Sequence, residues 1–223
     1  MKINVICFAI IILCWNCQEK PKTEKPKVEE TIAKENLTRS VPQLMVELGK
    51  FADFDFTDIS DVHQFIYFKQ IDENQTVTTI NINTAIALYR KMIQGEKVFA
   101  WPIFELKGSD TVILPVEGIG FAGPIWAKVL VARTSLEIKK IEFEHNAESD
   151  GYGSAMTQSH FEEMFTDKKI DLEKNTFTLQ INMEKRIDDG IIVDVLSGAT
   201  MTSQAALEMV NLGLKNYKGY LRP

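Results

Sequence analysis

Apolar and polar side chains alternate most regularly in the last quarter of the chain. Four apolar residues there are separated by single polar ones and predict a strand with one buried face, namely Phe177, Leu179, Ile181 and Met183. Apolar runs bounded by turn residues predict five further strands, at residues 98–106, 111–116, 125–133, 136–145 and 191–195.

Apolar residues spaced three or four positions apart predict helices before and after these strands. The predicted helices lie near 41–52 and 161–165, from an N-cap at Asn83–Thr84 to Gly95, and from Ser203 to Tyr217. The segment that follows residue 52 is predicted to be less regular. Strands clustered between flanking helices indicate an α+β fold with a largely antiparallel sheet.

The charge and the motif content of the chain exclude several classes of function. The chain has 223 residues, with 25 Lys and Arg against 31 Asp and Glu, so its net charge is −6. An acidic chain is poorly suited to phosphate contacts along nucleic acid, and we expect no nucleic-acid partner. No familiar catalytic motif is present. The histidines are not spaced as metal ligands, so no metal site is predicted at His63, His145 or His160.

All three cysteines lie within the first 17 residues, at Cys7, Cys14 and Cys17. The rest of the chain has none. This distribution excludes a disulfide framework, a Cys-ligated metal site in the body of the chain and a cysteine nucleophile there.

The N-terminus has the pattern of a signal peptide, with a basic residue followed by 11 apolar residues from Val5 to Trp15. A spanning helix needs ~20 apolar residues, so the run is short for one. Three interpretations are open: a redox motif formed by Cys14 and Cys17, an uncleaved membrane anchor, or a lipidated Cys17. The third resembles the lipobox of bacterial lipoproteins, with Leu13 a few residues before the cysteine, and we favour it.

Residues 18–36 contain two prolines, alternating charges and almost no apolar side chains. Such a composition cannot bury enough surface to fold, and it is typical of a spacer. We therefore predict a signal peptide at 1–17, a charged disordered tether at 18–36, a mostly helical lead-in at 37–99 and the main domain at 100–223. The lipid on Cys17 would hold the protein on the outer side of a bacterial membrane, periplasmic or on the outer membrane.

The segment from Asp194 to Ser203 follows a predicted strand and opens the last helix. Gly198 and Ala199 are small enough for a ligand to approach the backbone closely. Hydroxyl groups and free backbone N–H groups at a helix N-terminus form a natural phosphate site, and this segment supplies Ser197, Thr200, Thr202 and Ser203. Ordinary N-capping by Ser and Thr is the alternative explanation.

Two glycine-bearing loops stand beside predicted strands. The first runs from Gly118 to Trp126 and holds three glycines and a proline. The second is the polar stretch from His145 to Gly153. Each is also compatible with an ordinary turn.

Together the three segments resemble the FMN-binding domain family, which includes components of the sodium-translocating NADH:quinone reductase and of the Rnf electron-transport complex. The family motif Asp-x-x-Ser/Thr-Gly-Ala-Thr matches Asp194 to Thr200 at every specified position. The loop from Gly118 resembles its Gly-x-Gly-x-x-Gly-Pro-Ile stretch. The loop from His145 resembles its His-x-Glu-Thr-Pro-Gly-x-Gly stretch, with one inserted residue and with Ser149-Asp150 in place of Thr-Pro.

The resemblance implies FMN joined through its phosphate to Thr200 as a phosphoester, attached by a flavin transferase that uses FAD. It also implies the antiparallel α+β fold of an FMN-binding domain at residues 100–223. The further FMN contacts that it implies are Asp194, Ser197, Gly198, Ala199, Thr202, Gly123, Pro124, Ile125, Trp126, Glu148, Gly151 and Gly153.

The function expected from this resemblance is electron transfer by a membrane-tethered, extracytoplasmic flavoprotein. We expect a carrier rather than an enzyme, with another redox protein as its partner, because the sequence shows no substrate-pocket signature. The alternatives are a flavin-dependent reductase of a small molecule and a flavin-binding accessory lipoprotein without a redox role.

Overall fold

The computed structural model describes residues 41–180 and 190–222. The predicted signal peptide, the lipidated Cys17 and the tether lie outside the described residues, as do the last three residues of the strand predicted through Met183. No helix within the described ranges is long and apolar enough to cross a membrane.

Six antiparallel strands form the main sheet, in the order β2-β1-β3-β4-β5-β6. Their bounds are β1 Ile66–Asp72, β2 Val77–Thr79, β3 Ala100–Leu106, β4 Thr111–Ile119, β5 Pro124–Ala132 and β6 Glu137–His145. The central hairpin is regular over its whole length, since β4 pairs with β5 from Thr111 opposite Ala132 to Ile119 opposite Pro124. This pairing confirms the predicted α+β fold with a largely antiparallel sheet.

The remaining elements flank this sheet. The α-helices are α1 Gln43–Phe51, α2 Ile59–Phe65, α3 Ile82–Ile93, α4 Ser159–Glu162, α5 Thr200–Lys215 and α6 Lys218–Leu221. A 3-10 helix spans Gly153–Thr157. Two short strands, β7 Phe177–Gln180 and β8 Ile191–Asp194, pair in parallel as a separate two-stranded sheet. The chain leaves β8 directly into the turn before α5.

Each face of the main sheet buries its own hydrophobic cluster, because successive side chains of a strand point to opposite faces. On β5, Ile125 and Ala127 belong to the cluster that includes α5, whereas Trp126 belongs to the cluster beneath α1, α2 and α3. Helix α5 lies close against β4, where a Cβ added at Gly213 would be 2.6 Å from Cβ of Val116. The last helix is therefore fixed on one face of the sheet.

The structure adds elements to the predicted lead-in at 37–99. Its helices are present, but β1 and β2 also occur there, and β1 pairs along its whole length with β3. The main sheet therefore includes strands from both sides of the boundary that we predicted at residue 100. These two strands were not predicted because β2 is exposed throughout and β1 has polar residues at its centre.

Two helices also begin at residues other than the predicted ones. The N-cap of α3 is Asn81, whose side chain accepts a hydrogen bond from the backbone N–H of Thr84 at 2.9 Å. Helix α5 begins at Thr200, three residues before the predicted start. The second difference matters for function, since it places the threonine of the motif in the first turn of the helix.

Candidate functional site

The three segments that stood out in the sequence meet at one cleft. Its volume is about 370 Å³, within the range of small-molecule sites. The residues that line it come from the β4–β5 turn, the segment after β6 and the start of α5, and they are Phe121, Glu148, Ser149, Tyr152, Gly153, Gly198, Ala199, Thr200, Met201 and Thr202.

The β4–β5 turn brings a backbone N–H group to the site. The turn is closed by a hydrogen bond from the Gly120 N–H to the Gly123 carbonyl at 2.7 Å. Beyond it, the N–H of Ala122 donates to Oε1 of Glu148 at 2.8 Å. A side chain at Gly120 would collide with Ile125 and Glu148, so this turn needs a glycine to approach the next segment closely.

Glu148 connects all three segments. Its side chain is buried, with 6% of the residue exposed. One carboxylate oxygen accepts from Ala122, and the other accepts from the Thr202 hydroxyl at 2.7 Å. Its own backbone N–H donates to Nδ1 of His145 at 3.2 Å. A carboxylate with both oxygens occupied by protein donors positions the neighbouring loops rather than offering itself to a ligand.

The turn before α5 is held by Ser203, which is fully buried. Its hydroxyl donates to the Ala199 carbonyl at 3.0 Å and accepts from the Leu196 N–H at 2.9 Å. Gly198 has φ +70° and lies under the ring of Tyr152, where a Cβ would be 2.7 Å from a ring carbon. Glycine is therefore required at this turn for both its backbone conformation and its small size.

The start of α5 presents unpaired donors to the cleft. Ala199 is the N-cap and provides no side-chain cap. Among the described residues, no backbone carbonyl accepts from the N–H groups of Thr200, Met201 or Thr202. Such groups at the positive end of a helix attract an anion. Thr200 is exposed at this end of the helix and carries a hydroxyl group.

Apolar side chains border the same cleft and remain exposed to solvent. Phe121 is 70% exposed, Met201 65% and Tyr152 58%. A cluster of large, solvent-exposed apolar side chains is typical of a ligand-binding surface. The cleft thus combines an anion-binding end with an apolar border.

The resemblance implies thirteen site residues. Six of them are among the residues that line this cleft, namely Glu148, Gly153, Gly198, Ala199, Thr200 and Thr202. Seven do not line it. Gly123 and Pro124 close the turn and begin β5, Gly151 lies in the loop before the 3-10 helix, Asp194 ends β8, and Ser197 is exposed beside Gly198. Ile125 and Trp126 are buried in the core.

The placement of Trp126 differs most from the expectation that it lies against the flavin. Strand alternation turns its ring away from α5 and into the cluster beneath α1, α2 and α3. Four lining residues were not predicted, namely Phe121, Ser149, Tyr152 and Met201. Each lies inside or next to a motif segment, so proximity to those segments was the available signal.

A larger depression of about 640 Å³ lies elsewhere on the protein, around β7 and β8. Its described lining is mainly polar and charged, and none of it belongs to the three motif segments. Size alone would favour this depression. The smaller cleft has the convergent N–H donors, the exposed Thr200 hydroxyl and the apolar border, and we therefore assign the candidate site there.

Comparison with known proteins identifies a family over the region that contains the cleft. Residues 120–215, which include every residue lining the cleft, match the FMN-binding domain family. This match agrees with the resemblance that the sequence motifs indicated. No curated protein matches the chain significantly in sequence.

Two solved structures are similar to the fold. One is the NqrC component of the Na⁺-translocating NADH-quinone reductase from Parabacteroides distasonis, with a TM-score of 0.59 and 22% identity, and with 74% of this chain and 82% of that chain covered. The other is NqrC from Shewanella oneidensis, with a TM-score of 0.59 and 18% identity, and with 80% of this chain and 97% of that chain covered. At these identities the likeness establishes the fold.

The residues of the cleft fit an FMN group at both of its ends. The first turn of α5 offers the N–H groups and the Thr200 hydroxyl that a phosphate needs. Gly153 and Gly198 let the segments around the cleft pack closely, since a Cβ at either position would collide with Glu148 or Tyr152. The exposed rings of Phe121 and Tyr152 could cover the apolar part of a flavin. Residues 120–215 therefore match an FMN-binding domain in sequence, and the cleft within them fits its cofactor.

Proposed function

We propose that this protein is an electron-transfer flavoprotein whose FMN is esterified to Thr200 through the phosphate. Bound FMN supplies chemistry that accepts and donates one or two electrons. The observation that carries the proposal is the exposed Thr200 hydroxyl in the first turn of α5, inside a cleft built from the three family motifs.

The chain's own residues prepare this attachment point. The N–H groups of the first turn and the helix dipole stabilise negative charge on a phosphate next to Thr200. Ser203 fixes the turn from Leu196 to Ala199, so the hydroxyl is held at a defined place. Attachment by a flavin transferase would join Oγ of Thr200 to the FMN phosphate of FAD, with loss of the hydroxyl proton and release of AMP.

The cleft favours a carrier over a substrate-converting enzyme. Among its described residues, Glu148 has the one carboxyl group, and both of its oxygens already accept hydrogen bonds. No histidine, lysine or arginine is among the described lining residues. A reductase needs a proton donor close to its substrate, and the phenol of Tyr152 is the one ionisable group besides Glu148 among the described lining residues. Steady-state turnover of a small-molecule acceptor by the loaded protein would instead support a reductase.

Replacing Thr200 with alanine is expected to abolish the FMN adduct completely, because the ester oxygen is removed. Intact-mass measurement after co-expression with a flavin transferase should show one adduct on the native chain and none on Thr200→Ala. Thr157→Ala is the matched control, since Thr157 is also an exposed threonine but lies outside the cleft lining. An unmodified native chain under these conditions would refute the ester.

We further propose that Cys17 is lipidated and holds the flavoprotein on the outer side of a bacterial membrane, where its redox partner is another protein. The support is the pattern of the sequence: a short apolar leader, a cysteine at its end and a charged spacer after it. A cofactor that is covalently bound also suits a location where lost flavin could not be replaced from the cytoplasm.

Cys17→Ser is expected to release most of the protein from membranes into the soluble fraction, since acyl chains supply the stable anchor. Fractionation followed by immunoblotting measures the distribution. Cys7→Ser serves as the control, because a cysteine within the leader is removed during maturation. Persistent membrane attachment of Cys17→Ser would favour an uncleaved helix over a lipid anchor.

A further inference from the structure

The cleft around Thr200 has an unusual charge balance for a phosphate site. Glu148 is its carboxylate, and no basic side chain is among the described residues that line it. The carboxylate is buried, and its two partners, the Ala122 N–H and the Thr202 hydroxyl, are neutral. Within the described part of the chain, none of the ion pairs involves Glu148.

This carboxylate reaches the first turn of α5. Thr202 lies two residues after Thr200, and its hydroxyl is 2.7 Å from Oε2 of Glu148. Thr200 and Glu148 both line this cleft, so a phosphate on Thr200 would lie in the same cleft as the carboxylate. Like charges repel more strongly where protein replaces water, because the effective dielectric constant is lower.

The repulsion depends on how the phosphate is bonded. Free FMN is a phosphate monoester and carries about −1.5 to −2 charges at pH 7, like other monoesters. Esterified to Thr200, the same phosphate is a diester with a single negative charge. Glu148 therefore opposes the free cofactor more strongly than the attached one.

We propose that Glu148 is a specificity-determining residue, whose carboxylate weakens the binding of free FMN so that the site retains the cofactor esterified to Thr200. The inference rests on the proposed function, because it takes the attached form as the one to be retained. Its consequence is that unmodified protein does not fill its cleft with exchangeable FMN, which would occupy the place where attachment occurs.

The test uses the full-length Thr200→Ala chain, in which no ester can form. Free FMN, and riboflavin, which lacks the phosphate, are titrated separately by quenching of flavin fluorescence. Adding Glu148→Gln is expected to tighten FMN binding about tenfold and to leave riboflavin binding nearly unchanged. Glutamine can preserve both contacts, since its Oε1 accepts from Ala122 and its Nε2 donates to the Thr202 hydroxyl.

Glu163→Gln in the same background is the control for net charge, because Glu163 is exposed and lies outside the cleft lining. Glu163→Gln should change neither the affinity for FMN nor the affinity for riboflavin. An equal gain for both flavins with Glu148→Gln, or no gain for FMN, overturns the role of Glu148. The intact mass of the protein with Thr200 in place tests the ester independently, and a missing adduct would refute the proposed function. The ratio of the FMN affinity to the riboflavin affinity would still test the role of Glu148.

Discussion

Gly153→Ala is expected to lower FMN attachment more than tenfold, because the added methyl group occupies the junction on which the cleft depends. A Cβ at this position would lie 2.8 Å from Oγ1 of Thr202 and closer still to Oε2 of Glu148. The hydrogen bond between those two side chains must then break or shift. Since that bond joins the loop after β6 to the first turn of α5, Thr200 would lose its defined position.

The same substitution should reduce the free energy of unfolding by about 2 kcal/mol, through overpacking and the loss of a buried hydrogen bond. Intact mass reports attachment, and urea unfolding reports stability. Gly108→Ala is the control, because a Cβ there meets no atom within 4 Å, and its backbone strain at φ +72° costs about 1 kcal/mol. Full attachment to the Gly153→Ala chain would show that the junction does not control the position of Thr200.

The strands that the sequence predicted well are those with continuous apolar character. β4, β5 and β6 carry buried residues on both faces, because α1, α2 and α3 cover one side and α5 the other. β2 could not be predicted in this way, since all three of its residues are exposed. Its place in the sheet comes from pairing with β1, and pairing between strands leaves no periodic signal in a single sequence.

Helix boundaries show a similar limit. Asn81 and Asn83 are both suitable N-caps by residue type. The choice between them depends on which side chain reaches an N–H group in the first turn, and in the structure Asn81 reaches Thr84. The predicted cap was wrong by two residues because amino-acid type sets the preference, while the packing of α3 against the sheet sets the register.

The motif positions include the start of α5 that lines the cleft but not the exposed apolar side chains at its border. Thr200 and Glu148 could be named from the sequence because both occupy fixed positions of the family motifs. The resemblance implied a flavin contact at Trp126, whereas the alternation of side chains along β5 places its ring in the core on the other face of the sheet. The exposed rings of Phe121 and Tyr152 lie beside the motifs but have no spacing that distinguishes them from surface residues.

The parallel pair of β7 and β8 is the part of the fold that supports the turn before Thr200, and Asn211 secures it. Asn211 lies on α5 and is 5% exposed. Its Oδ1 accepts from the Phe177 N–H at 3.0 Å, and its Nδ2 donates to the Phe177 carbonyl at 2.9 Å. A single side chain thereby satisfies both backbone groups at the start of β7.

Asn211→Leu is expected to lower the free energy of unfolding by about 3 kcal/mol, since both backbone groups of Phe177 would remain buried without partners. Urea unfolding measures the loss, and hydrogen exchange should show faster exchange at β7 and β8 than at the central hairpin. Asn216→Leu is the control, because Asn216 is only partly buried at the end of α5. Equal stability of the two variants would mean that β7 is held by the packing of Phe177 against Phe165, whose ring centroids are 4.7 Å apart, rather than by Asn211.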